Sequence, residues 1–531
     1  MALSHTALVP PLPEAESLHP APRRNPLLAA VWGFVVLLLI SSALYMALYI
    51  ADFRGTGVSL AQLLTAPGTI GPLTSFAEVT VGVLGIAITV VAIIVELAAN
   101  RYTPRITELF LSDPTNQLVL SFFVVTSVVI LWIGMSLHGS VFPVAMPVAA
   151  TLLMSMSLLA ILPYFAYVFD FLSPVRVIDR IRHTGSSRVR SLAKRGERAV
   201  PGAHAEVVRA VEQLGDIALN SVDKKDKPLT FACLDALGDI ARTHVEEKPN
   251  LPDSWFESGR LVRNDQDFVA LHPDMVRALA ARRNWLEMKV LRQYQAVFSE
   301  SVNRLRDVNH LVAIHTRRLA TFAHRQGDEH TVNLSLRFLN TYMRASVNGR
   351  DVRTAYNLLN EYRHLGETML AADRPDRVME LANKIKFYGQ LAFASQLGFI
   401  LETAAYDLCA LLERAHAREA PCHDALLDLF LDVDREPEGG RIQEASLRGV
   451  RKAQVKLATY YLNAGAQEPA RRIFEDMHAE QVSRLRSIRD ELLAVDDAEY
   501  WEVVDRGINF DYLPAPRRAQ LATFFSWFPS L

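Results

Sequence analysis

Pro114–Phe169, PTNQLVLSFFVVTSVVILWIGMSLHGSVFPVAMPVAATLLMSMSLLAILPYFAYVF, contains no Asp, Glu, Lys or Arg. A helix of roughly 20 residues, rising about 1.5 Å per residue, crosses a hydrocarbon core of about 30 Å. The run is too long for one crossing and suits two. His138-Gly139-Ser140, with Pro143 just beyond, supplies the break and predicts a tight hairpin of helices over 117–137 and 143–169. Two further uncharged runs precede it: Leu27–Ala51, and Val79–Val95 between Glu78 and Glu96. Leu27–Ala51 is too long for the apolar part of a cleaved signal, and no small-x-small cleavage site follows it. It reads as a retained first helix, which makes four transmembrane helices.

Charge divides the chain in the same way. Residues 1–170 hold no lysine, five arginines and eight acids, whereas the remainder holds 51 basic and 50 acidic residues. Over all 531 residues, 56 basic side chains face 58 acidic ones, for a net charge of -2. That balance gives no case for nucleic-acid binding. Arg23 and Arg24 precede the first span, Arg101 and Arg105 lie between the second and third, and eight Lys/Arg fall within 172–198. The 52–74 connection has only Arg54, and 138–142 has no basic residue. The bias places both termini in the cytoplasm. Cys233, Cys409 and Cys422 then face a reducing compartment as free thiols.

The sequence thus predicts a cytosolic segment 1–26, a transmembrane domain 27–170, a basic juxtamembrane collar 171–198 and a cytosolic helical domain 199–531. In the collar, Arg176, Arg180, Arg182, Arg188 and Arg190 are expected to meet anionic lipid headgroups, each contributing on the order of 1 kcal/mol. No span carries an ionisable residue near its middle, which argues against an ion-coupled pump but not against an apolar pore. Gly82, Gly85 and Thr89 give the second helix a small-residue stripe. Packing within the four-helix unit and a contact between copies, including a pore lining, are both compatible with it. After that helix, Thr103 fits an N-cap, Pro104 the first helical position, and Ile106, Leu109 and Phe110 an apolar side, so a short interfacial helix is expected before Asp113-Pro114.

Ala98-Ala99-Asn100-Arg101-Tyr102-Thr103-Pro104-Arg105, followed by Asp113, Asn116-Gln117 and apolar 118–131, resembles an uncharacterised family of predicted bacterial four-span membrane proteins. That family has a Ser/Thr-Pro-Arg motif, here Thr103-Pro104-Arg105, after its second helix. Lys227–Gly238 is similar to a second family segment, whereas Asn220-Ser221-Val222-Asp223 departs from the Ser-Pro-Gly-x-Asn expected before it. The resemblance covers approximately 27–245. It implies a bacterial inner-membrane location and no established activity.

Beyond Pro201 the apolar periodicity is helical: Val207, Val211, Leu214 and Ala218 share a face, as do Leu234, Leu237 and Ala241. Pro249, Pro252 and Gly259 mark 248–267 as a linker or surface loop. Residues 274–325 read as one or two long helices, with Trp285, Met288, Leu291, Val297 and Phe298 inward. Breaks near 326–329, 348–351, 372–376, 417–422, 435–441 and 464–468 suit stacked helical hairpins. Leu457, Ala458, Tyr461, Ala470 and Phe474 match a tetratricopeptide-like unit with Gly465 in its turn. A repeat solenoid and a generic bundle both remain open. The aromatic run Leu521, Phe524, Phe525, Trp527 and Phe528 reads as a terminal helix docked on its own domain, with a partner-binding or membrane-touching tail as the alternative.

No catalytic constellation emerges. His416, Cys422 and His423 lack the pairing of a zinc site. Asp432, Asp434 and Glu436 begin like a calcium loop, but Pro437 and Gln443 stand where glycine and glutamate are needed. Nucleotide-binding glycine motifs and a nucleophile elbow are missing. The reading is an all-α, non-enzymatic membrane protein without a cofactor. Its cytosolic domain is expected to serve as a protein-interaction platform. The rival reading is an oligomeric channel gated by that domain. Expected partners are anionic lipids, a protein and, for the small-residue stripe, a second copy.

Overall fold

The computed structural model describes residues 26–53, 72–101, 106–111, 113–136, 145–257, 265–434, 444–500, 503, 505–507 and 509–528. Every regular element among them is helical, and no strand occurs among the described residues. The chain divides into two compact units, one ending at Leu172 and the other spanning Ser173–Leu531.

The first unit contains α1 (Pro26–Phe53), α2 (Pro72–Arg101), α3 (Ile106–Leu111), α4 (Pro114–Ser136) and α5 (Ala145–Phe171). Three stretches among the described residues are long and apolar enough to cross a membrane: Val81–Ala98, Pro114–Ile133 and Ala145–Phe171. In α1 the described apolar part is the shorter Leu39–Asp52. α1, α4 and α5 pack on one another around Tyr45, Val129, Ile133, Met146 and Ala150. Their other sides leave Leu118, Leu159 and Leu162 exposed, the pattern of helices solvated by hydrocarbon. Asp52 ties two of these helices together. Its carboxylate accepts from the backbone N–H groups of Ala145 and Met146, both at 2.7 Å, and so caps the start of α5. Asp113 caps α4 in the same way, accepting from Thr115 N at 3.0 Å and Asn116 N at 3.2 Å, with Pro114 in the first turn.

The second unit opens with three mutually packed helices, α6 (Pro174–Arg195), α7 (Val200–Asp223) and α8 (Lys227–Glu247). Residues 248–257 are not the surface linker expected from their prolines. They form short 3-10 turns that deliver Trp255 into the core, fully buried, where its Nε1–H donates to His244 Nε2 at 2.8 Å. The side chain, not the backbone punctuation, decides the placement: burying an indole outweighs the helix-breaking tendency of Pro249 and Pro252. The stretch 274–325 becomes three helices rather than one or two: α9 (Pro273–Ala281), α10 (Trp285–Ser301) and α11 (Arg306–Arg325).

From α11 onward the chain keeps a strict period. α12 (Glu329–Asn348), α13 (Val352–Ala371), α14 (Pro375–Ala394) and α15 (Gly398–Ala417) each begin 23 residues after the preceding helix. α16 (His423–Leu431), α17 (Glu444–Asn463), α18 (Gln467–Met477), α19 (Val482–Ala494) and α20 (Ala515–Phe525) complete the unit. The turns explain the period. Gly327, Arg350, Asp373, Gln396 and Glu419 all have positive φ at 23-residue intervals, and Gly465 falls two intervals further on. The next residue then returns its N–H to a carbonyl five positions back, as in Asp351 to Ser346 at 2.9 Å and Leu397 to Ala392 at 2.8 Å. That closure satisfies the last carbonyls of one helix. At two of the turns the same residue caps the next helix, Asp328 through Thr331 N and Asp351 through Thr354 N.

From α11 to α15 each helix packs on its successor, and from α10 to α16 each packs on the helix two further along. Two layers result, α11, α13, α15 and α17 in one, α10, α12, α14, α16 and α18 in the other. Side-chain bonds link helices two apart: Arg317 to Glu361, Arg363 Nε to Asp407 at 3.1 Å, and Arg377 to Asn333 at 2.7 Å.

Candidate functional site

α13, α15 and α17 lie side by side, and the segment between α19 and α20 crosses their shared face. The described residues of that segment carry no helix until Ala515. It is held by side chains. At α13, the Arg353 guanidinium donates twice to Asp505, at 2.6 and 2.5 Å, and Asn357 Nδ2 donates to the same carboxylate at 2.9 Å. The charge-assisted pair holds the Asp505 carboxyl below its ordinary range. Arg506 donates to Asp407 of α15 at 2.7 Å and stacks its guanidinium 4.0 Å over the Tyr356 ring.

Further along, Phe510 stacks on Tyr406 of α15, with ring centroids 4.7 Å apart and planes 10° from parallel. The Tyr406 hydroxyl and Lys452 Nζ of α17 both donate to Asp511, each at 2.7 Å. Lys456 Nζ donates to the Phe510 carbonyl; burial pushes this ammonium's pKa down. Arg517 closes the crossing with a two-pronged bond to Glu413, at 2.8 and 2.9 Å. α20 then docks on α17, and Phe528 meets Phe474 of α18 edge-on at 4.8 Å. The terminal aromatic run is thus packed against its own unit, with Leu521, Phe524, Phe525 and Phe528 buried.

The face thus holds 505–517 of its own chain by alternating charged and aromatic contacts. Burial pushes the Cys409 thiol up, away from thiolate reactivity. Among the described residues no group of three or more His, Cys, Asp or Glu side chains could hold a metal ion. His416 and His423 do come together, 5.4 Å between rings, but each bonds a tyrosine hydroxyl: His416 to Tyr460 at 3.2 Å and His423 to Tyr461 at 2.7 Å.

The residues singled out from sequence fall as follows. Thr103, Pro104 and Arg105 lie outside the described residues. Gly82, Gly85 and Thr89 stand on the exposed side of α2; among the described residues no atom of another helix lies within 4 Å of where a Cβ on either glycine would be, and the Thr89 hydroxyl donates to the Gly85 carbonyl at 2.8 Å. The buried side of α2 is instead Ala87, Val91, Val95 and Ala98. Arg176, Arg188 and Arg190 are exposed on α6, and Arg180 and Arg182 are half-buried. Arg182 engages Asp179 and Asp239, and Arg188 engages Glu206, so these two guanidiniums are turned to carboxylates of their own unit. Leu457, Ala458, Tyr461 and Ala470 are fully buried where α17 meets α18, Phe474 is half-buried, and Gly465 takes φ +78° in the turn.

Arg353, Tyr406, Lys452, Asp505, Phe510 and Asp511 were not singled out by motif or spacing. The available signal was the loss of helical periodicity across 495–514 while charged and aromatic residues persist.

No curated protein and no solved structure matches the chain. Residues 24–263, a stretch that contains the whole resemblance seen in the sequence, match the model of a family described as Predicted membrane protein (DUF2254).

Proposed function

We propose that this is a four-span membrane protein, both termini cytoplasmic, whose second unit is a helical-repeat solenoid that recruits a protein partner to the inner bacterial membrane. The observation that carries this reading is the shared face of α13, α15 and α17, which already grips an extended segment, mostly through side chains. Stacked helices offer one long surface rather than a pocket. A membrane tether raises the local concentration of whatever that surface holds. The 23-residue spacing supports the solenoid part, and the uncharged helix α1 supports a fourth span.

The test is site-specific photo-crosslinking in cells that express the full chain. A photoreactive residue replacing Phe399, which is about half exposed and stacks on Tyr356 beside the crossing segment, should give one discrete cross-linked protein. The same probe replacing Phe387, on the other layer, should not. Equal labelling from both positions, or none from either, overturns the platform. Accessibility of cysteines introduced at positions 10 and 520 to an impermeant reagent in intact cells overturns the topology.

A further inference from the structure

We infer that the face of α13, α15 and α17 is a receptor for an extended segment bearing an acid–base pair followed four residues later by an aromatic–acid pair, and that Asp505-Arg506…Phe510-Asp511 is its occupant in cis. The inference rests on the platform reading and names the chemistry of the partner.

Three observations carry it. The segment is joined to the face by charge pairs, hydrogen bonds and ring contacts, which a competitor carrying the same groups can replace. Leu513 is its one fully buried apolar side chain among the described residues, so the crossing is not part of the apolar core. The fit is also incomplete. Asn357 and Asp407 are 3% and 2% exposed, yet among the described residues no group donates to Asn357 Oδ1 or Asp407 Oδ2, and Arg506 Nε has no acceptor. All three belong to the acid–base pair or to side chains that meet it, Asn357 bonding Asp505 and Asp407 bonding Arg506. Buried polar groups normally find partners. A segment whose basic side chain sits slightly differently would satisfy Asn357 and Asp407 together, and would therefore displace the chain's own residues. The partner is an extended acidic–aromatic peptide, not a nucleic acid: the aromatic and basic groups Tyr406, Lys452 and Lys456 are matched one for one by Phe510, Asp511 and the Phe510 carbonyl.

The experiment uses the full chain in lipid nanodiscs and a fluorescently labelled peptide of residues 503–517. The wild-type protein, its face covered, should bind the peptide weakly. The released variant, Asp505→Ala with Phe510→Ala and Asp511→Ala, should bind it at least tenfold more tightly, and adding Lys452→Glu should abolish the gain. A peptide carrying Asp511→Lys should not bind. Helicity and melting temperature verify that the released variant is folded. Hydrogen exchange on the wild type gives a second readout: amides of 505–513 should exchange faster than those in the middle of α15. A folded released variant that ignores the peptide, or 505–513 amides that open only with α15, overturns the inference. Cross-linking of a partner at Phe399 without peptide binding would leave the platform standing and remove only the peptide chemistry. Peptide binding without any cross-linked partner would do the reverse.

Discussion

The Phe510 ring lies flat against the Tyr406 ring, although 104 positions separate them in sequence. Offset aromatic pairs contribute about 0.5–1.5 kcal/mol beyond the area they bury. A double-mutant cycle of Phe510→Ala and Tyr406→Ala should therefore show a coupling of that order. Local opening of the 505–513 amides, followed by hydrogen exchange, measures it; additive effects would mean that the rings do not touch in solution.

Two buried carboxylates should shape the pH profile in opposite directions. Burial, reinforced by Asp511 and opposed by Lys452, lifts Glu402 to about 7. An unfolded glutamate titrates near 4.3. Its contribution to stability is therefore complete below about pH 4.3 and is lost as pH rises through about 7. The difference in melting temperature between Glu402→Gln and the wild type should be more favourable to the variant at pH 8 than at pH 5.

Glu287 works the other way. Burial alone would raise it, but the nearby Lys248 ammonium (2.9 Å) and the hydrogen bonds from His244 (2.8 Å) and Lys248 prevail and hold it at about 2. Its contribution is present above the ordinary glutamate range and is lost as pH falls through about 2. Glu287→Leu should cost about 1–3 kcal/mol: His244 loses its acceptor, while Lys248 keeps Asp328 and Thr331. Denaturant unfolding at pH 7 reads the loss, and a neutral outcome would contradict the network.

Glycines at two positions should differ in their response to a larger side chain. A Cβ on Gly389 would stand 2.8 Å from the Ala404 Cβ, where α14 meets α15. Gly389→Val is expected to lose about 1–3 kcal/mol through overpacking. A Cβ on Gly85 meets nothing within 4 Å, and Gly85→Leu should stay within about 0.5 kcal/mol of the wild type. Melting temperatures of the detergent-solubilised variants compare the two.

Positive φ in a non-glycine residue costs about 1–2 kcal/mol, against a glycine entropy cost of about 0.5–1. Glu419 has φ 51° and is exposed. Glu419→Gly should therefore stabilise by about 0.5–1 kcal/mol, whereas Gly465→Ala, at φ 78°, should destabilise. Chemical denaturation of the full chain decides both signs.

The membrane helices were legible because hydrophobic length leaves few alternatives: the run at 79–95 falls within α2, and the spans expected at 117–137 and 143–169 match α4 and α5 to within three residues at each end. The breaks after α11, α12, α13, α15 and α17 were legible where Gly, Pro or polar clusters mark them. The break at Ser395-Gln396-Leu397 was not, because a glutamine takes the left-handed position and the closing bond from Leu397 to Ala392 leaves no trace in composition. The regular period stayed hidden for the same reason, since only Gly327 and Gly465 among its described turns are glycines. Trp255 was missed because prolines around it signal a loop while its indole is core. The face that holds 505–517 depends on contacts between residues roughly 50–150 positions apart, as from Arg353 to Asp505, and no local pattern encodes those.

The even tread of helices from α11 to α15 also sets a rule for what can be cut from or added to the chain. Excising 23 residues from one turn to the next would send every later helix to the opposite layer, and apolar stripes that now look inward would meet water. Excising 46 keeps odd with odd and even with even. Lengthening or shortening this part of the molecule therefore proceeds by helix pairs.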